Sequence, residues 1–325
     1  MKYKRKMNRR KFVKMSALAA AAAGVGTLLI NYGCQSSRAK TKTGNLKMNP
    51  KDTKEVFLKC GACSQTFFCL LNREFGHPKE NEERASFPLA GGFMLGHQCG
   101  MLWGAALAAG AESFRRNEGR SLAIASSITA TQQLITSFTE RTKSVNCRDI
   151  SPVDFSSKTG RVKMVGQIIL HGGLKNTHCF NLAEDWAPEA VRSVTAGLSY
   201  KQTGIYHHAV CCASEVVRRM GGNDEEMVMV SGFSGGLGLK GHACGALAAA
   251  IWMNTLTWCK KHPGETPPLF KPDESSVLKA FNNETNTEVL CRKISGQSFE
   301  TINDHTKFIQ NGGCDKLIQA LSTVG

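Results

Sequence analysis

The chain carries Gly96-His97-Gln98-Cys99-Gly100 and, 145 residues further on, Gly241-His242-Ala243-Cys244-Gly245. The repetition extends well beyond these pentapeptides. Cys63 stands 36 residues before Cys99, and Cys212 stands 32 before Cys244. Cys147 follows Cys99 by 48 residues, against 47 from Cys244 to Cys291. The last intervals, 32 from Cys147 to Cys179 and 23 from Cys291 to Cys314, match more loosely. Four ordered landmarks at similar intervals identify two copies of one four-cysteine unit, over residues 56–195 and 200–325.

Local patterns within each unit predict helices. CGACSQTFFCLLNREFG places Phe67, Leu70, Leu71 and Phe75 on one helical face and closes at Gly76. SEVVRRMGG is the shorter counterpart. GMLWGAALAAGAESFRR and GALAAAIWMNTLTWCKK are runs of strong helix formers whose small residues permit close helix contact. SITATQQLITSF and RVKMVGQIILHG supply further helices, and KHPGETPPLFKPDES is a Pro-rich loop. MVMV, residues 227–230, has the composition of a short strand. The expectation is therefore an all-α, mainly helical protein of two similar bundles.

Charge excludes a nucleic-acid binder. The formal net charge is +15, but residues 1–50 hold 12 Lys and Arg and no Asp or Glu, so the remaining 275 residues carry only +3. The basic segment MKYKRKMNRRKFVK precedes the uncharged MSALAAAAAGVGTLLI, which reads as a targeting segment over residues 1–34. Asn8-Arg9-Arg10-Lys11-Phe12-Val13-Lys14 resembles a twin-arginine motif, with a Sec signal or a membrane anchor as the alternatives. Cys34, preceded by Gly33, is a candidate lipidation site, although Asn31 departs from the usual aliphatic residue. Residues 35–55 read as a polar tether. Export to the periplasm or to the outer side of the cytoplasmic membrane is the expectation, with attachment through the N-terminal segment or Cys34.

Cys99 and Cys244 each precede a long predicted helix, where free backbone N–H groups and the helix dipole favour a thiolate. This arrangement resembles the C-GCAxxG-C-C family of redox-active proteins. The matching residues are Cys63, Cys99 with Gly100 and Gly104, Cys147 and Cys179, then Cys212, Cys244 with Gly245 and Ala246, Cys291 and Cys314. Met101 replaces the motif's Ala in the first copy and Ala249 its last Gly in the second. The chain is also similar to split-Soret-type cytochromes in its cysteine framework. Covalent c-type haem is not expected, because no CxxCH occurs.

What four separated cysteines per unit do stays open at the level of sequence. They could ligate an iron-sulfur cluster for electron transfer with a partner protein, or hold zinc. They could exchange thiols and disulfides, with Cys60 and Cys63 of CGAC as the obvious pair. They could also form disulfides that staple a binding protein without redox chemistry. His97 and His242 are candidate metal ligands or supporting partners, or simply caps of the following helices. Cys69, Cys259 and the four tryptophans read as core, and His207 and His208 read as surface or core rather than haem ligands. Gly236–Gly241 matches GxGxxG, but the first copy lacks it and no acidic partner follows about twenty residues on. HExxH and P-loop motifs are missing from the sequence.

Overall fold

The computed structural model describes residue 49, residues 52–154, 157, 160, 172–202, 208–268 and 275–324. The targeting segment, Cys34, most of the tether, the helix expected over RVKMVGQIILHG, and His207 lie outside the described residues. The described residues form helices and no strand. The first unit contains α1 (Thr53–Cys60), α2 (Cys63–Phe75), α3 (Glu80–Ala85), α4 (Gly100–Arg116), α5 (Arg120–Thr142), α6 (Cys147–Ile150) and α7 (His178–Ser199). The second contains α8 (Cys212–Arg219), α9 (Asp224–Met229), α10 (Gly245–Lys261), α11 (Ser276–Thr285), α12 (Cys291–Ile294), α13 (Ile302–Gln310) and α14 (Asp315–Ser322). The MVMV stretch is therefore not a strand. Met227–Met229 finish α9 and Val230 caps it; a capping box between Asn223 and Glu226 fixes the helix start, and all four side chains are buried.

Around the motif cysteines the two copies repeat the same order of elements. Short helices α3 and α9 are each followed by a 3-10 turn, Phe87–Leu89 and Ser231–Phe233, then by a glycine-rich turn and a 17-residue helix, α4 or α10. Small residues let these long helices approach their neighbours closely. A Cβ on Gly104 would lie 1.9 Å from the Ser64 carbonyl oxygen, and one on Gly110 would lie 2.5 Å from the Met229 Cα. A methyl group fits at neither position.

Although each unit repeats the other, neither packs by itself. The short helix α3 of the first unit lies against α10 of the second, and reciprocally α9 lies against α4. Trp252 Nε1 donates to the Glu82 carbonyl at 3.2 Å, and Trp103 meets Phe233 edge-on with centroids 4.9 Å apart. Lys79 and Glu225 join the two exchanged helices at 2.7 Å. Buried Arg84 donates to the carbonyls of His262, at 2.7 Å, and Glu265. One continuous core, with Phe67, Trp103 and Trp186 from the first unit and Phe233, Trp252 and Phe281 from the second, holds both. The arrangement resembles a symmetric dimer interface written into one chain. Among the described residues no helix is long and apolar enough to cross a membrane.

Candidate functional site

All eight repeat cysteines stand at helix N-termini. Cys63, Cys147, Cys212 and Cys291 are the first residues of α2, α6, α8 and α12. Cys99, Cys244 and Cys314 are the N-caps of α4, α10 and α14, and Cys179 is the second residue of α7. A helix start presents unpaired N–H groups and a positive dipole end, both of which favour thiolate.

An unusual turn delivers the motif cysteines to this position. Gly91, Gly92, Phe93 and Met94 all have φ between 57° and 62°, and Gly235, Gly236, Leu237, Gly238 and Leu239 run between 57° and 75°. Consecutive left-handed residues cost about 1–2 kcal/mol each when they carry a Cβ. The turn brings the backbone back on itself, with the His97 N–H donating to Gly92 and the His242 N–H to Gly236. A Cβ on Gly92 would come within 2.3 Å of the His97 nitrogen. The returning segment then pairs with the third cysteine's segment through single antiparallel bridges, Gln98 with Asn146 and Ala243 with Leu290. Cys99 N–H donates to Val145 at 2.8 Å and Cys147 N–H to His97 at 2.6 Å; the second unit repeats this with Cys244 to Val289 at 2.9 Å and Cys291 to His242 at 2.6 Å.

Cys63, Cys99, Cys147 and Cys179 converge in the first unit, close enough for each to feel another's charge or hydrogen bond. The Cys99 thiol donates to the Cys63 sulfur, and this bond, helped by backbone N–H groups of Gly91 and Ser64, holds the Cys63 thiol below its ordinary value despite burial. The same bond, with burial and the charges of Cys63 and Cys147, drives Cys99 well above it. Burial raises Cys147 strongly and pushes Cys179 up to about 12. Cys63 and Cys179 are half-buried; Cys99 and Cys147 are buried.

In the second unit Cys212, Cys244, Cys291 and Cys314 line one small cavity of about 10 Å³, walled also by Phe299, His305 and Phe308. This is room for about one water. Burial raises all four thiols, Cys244 to about 12, and the charges of neighbouring cysteines add to it at Cys212, Cys244 and Cys291, with Cys314 acting on the last two. The two sites share a set of four cysteines and differ in electrostatics: Cys63 is held below the ordinary thiol value, whereas every thiol of the second site is raised.

The remaining candidates lie apart or serve through backbone. Cys60 ends α1 and is buried, while the hydrogen-bonded sulfur partner of Cys63 is Cys99. Burial pushes His97 and His242 below the usual imidazole range, with Arg148 acting on the first and Arg292 and Lys240 on the second. Their backbone carbonyls accept from the third cysteines, as above. Cys69 and Cys259 are fully buried in α2 and α10. Cys211, whose sulfur donates to Ser214 Oγ at 3.0 Å, caps α8. Among the described residues no three His, Cys, Asp or Glu side chains already stand in positions to hold a metal ion.

Sequence reading missed three contributors. Arg148 donates from its guanidinium to the carbonyls of Gly96, at 3.3 Å, and Leu95, locking the first motif turn. The shared Cys-Arg of NCRDI and LCRKI is the signal that marks it. Fully buried Gln98 accepts from the Ala243 N–H at 2.9 Å and donates to Asn146 Oδ1 at 3.0 Å, tying one motif to the other. The third is His305, which no feature of the repeat marks.

Comparison with known families gives one result. The family model described as "Putative redox-active protein (C_GCAxxG_C_C)" matches twice, over residues 62–190 and 206–324. Neither a curated protein nor a solved structure matches the chain.

Proposed function

The chain belongs to the C-GCAxxG-C-C family of redox-active proteins, and on that premise we propose that it is an electron carrier with one cysteine-ligated iron-sulfur centre in each unit. The observation that supports this most is the convergence of helix N-termini, each bearing a cysteine, twice in one molecule. Several thiolates packed together repel one another, and burial opposes each charge. A cation that binds sulfur removes both penalties, and the helix dipoles stabilise the net anionic assembly. The donor set suits iron-sulfur ligation and would equally accept zinc. The second cavity of about 10 Å³ admits a single ion as it stands, so a cluster requires the cysteine side chains to swing outward. The N-terminal targeting motif fits export of the chain with its centres already assembled.

The test is anaerobic reconstitution of the full chain with ferrous iron and sulfide. Broad visible absorption with iron and acid-labile sulfide in similar amounts is expected. A protein that stays colourless and binds no iron would overturn the proposal.

A second reading has its own support in the Cys63–Cys99 hydrogen bond. Cys63 thiolate would attack a partner's disulfide and release one partner thiolate. Cys99, once deprotonated, would then displace the second, leaving a Cys63–Cys99 disulfide and a reduced partner. A colourless protein whose Cys63 and Cys99 cycle between dithiol and disulfide under mild reductant would favour this reading over the first.

A further inference from the structure

His305 lies on the inner face of α13, only 2% exposed, in the wall of the cavity lined by Cys212, Cys244, Cys291 and Cys314. Its Nδ1 is buried and has no hydrogen-bond partner. An orphaned buried nitrogen is costly, and no hydrogen-bond partner relieves it here. The ring packs edge-on against Phe299, centroids 4.8 Å apart, with Phe308 and Ile309 also lining the cavity. An imidazole with an unpartnered nitrogen, in the wall of a cavity lined by four cysteines, is a metal donor set in chemical terms.

The four cysteines around it are not equivalent. Cys212, Cys244 and Cys291 are buried, whereas Cys314 is only half-buried and sits at φ 59°, a strained value for a residue with a Cβ. Cys314 also ends the interval that matches the first copy least well.

We infer that the second centre is a mixed site, in which His305 Nδ1 completes the donor set formed by Cys212, Cys244 and Cys291 while Cys314 stands outside it. The inference rests on the proposal that this centre binds iron or an iron-sulfur cluster. Its consequence is electronic: replacing a thiolate by an imidazole removes negative charge from the metal and raises its reduction potential. The second centre would then be the more readily reduced of the two, giving the duplicated protein two unequal electron sites.

The experiment uses the full chain, reconstituted anaerobically with ferrous iron and sulfide, reduced and studied by pulsed EPR. Strong coupling from a directly bound imidazole nitrogen is expected in the natural protein. It should disappear in His305→Gln and His305→Ala and persist in His97→Ala and His242→Ala. Iron content should be kept in Cys314→Ser and fall by about half in Cys291→Ser. Bound iron without nitrogen coupling in the natural protein, or coupling that survives in His305→Gln, would overturn the inference and leave cysteine ligation standing. Loss of iron in Cys314→Ser equal to that in Cys291→Ser would also overturn it. Failure of every form to bind iron would remove both this inference and the proposal beneath it. The natural protein's own spectrum decides the matter even where a His305 variant fails to fold.

Discussion

At the scale of single residues, the account depends on where protons sit among the sulfurs. In the metal-free, reduced protein Cys63 has its thiol value lowered by the Cys99 hydrogen bond, so its thiolate forms at lower pH than that of any other repeat cysteine. Alkylation by iodoacetamide, followed by mass spectrometry over a pH series, should modify Cys63 first, helped by its half-buried position. In Cys99→Ala the donor is lost and the pH at which Cys63 begins to react should rise; an unchanged onset would show that the bond does not set Cys63's acidity. Gly100 is as closely defined, since a Cβ there would lie 2.5 Å from the Cys63 sulfur. Gly100→Ala should displace that sulfur and destabilise by about 1–3 kcal/mol of overpacking, read as a lowered urea midpoint with an unchanged slope. The cysteines and the motif glycines were legible from spacing alone. His305 was not, because only the tertiary packing of α13 brings it to the second cavity.

At the scale of elements, the left-handed turn and the Gln98 bridge carry the design. Gly92 combines φ 60° with backbone 2.3 Å from a would-be Cβ, so Gly92→Ala should cost more than the roughly 1–2 kcal/mol of the dihedral alone. Thermal unfolding that matches the natural protein would contradict this. Gln98→Ala leaves the Ala243 N–H, and the Asn146 carbonyl oxygen of its side chain, without their buried partner. A loss of about 1–3 kcal/mol is expected, read in the same unfolding measurement. The helix positions were readable because long runs such as GMLWGAALAAGAESFRR have one period and strong propensity. MVMV was not readable in that way. A short apolar run has no period of its own, and the capping box begun by Asn223, four residues before it, decided in favour of a helix.

At the scale of the whole molecule, duplication was plain in the cysteine intervals, but the exchange of α3 and α9 between units was not. Nothing in spacing distinguishes a short helix that packs on its own unit from one that crosses to the other. Because α4 and α10 are each covered by the partner unit's short helix, a fragment spanning residues 62–190 should be unable to remain a soluble monomer. Light scattering should find it as a dimer or an aggregate; a stable monomer would show that the units fold independently. The central claim is that each repeat builds its own sulfur centre, and it is tested most directly by counting iron in single-centre variants. After reconstitution with ferrous iron and sulfide, Cys99→Ser and Cys244→Ser should each keep about half the iron of the natural protein, and the double variant almost none. If either single substitution removed all of the iron, or neither removed any, the two repeats would not be two centres.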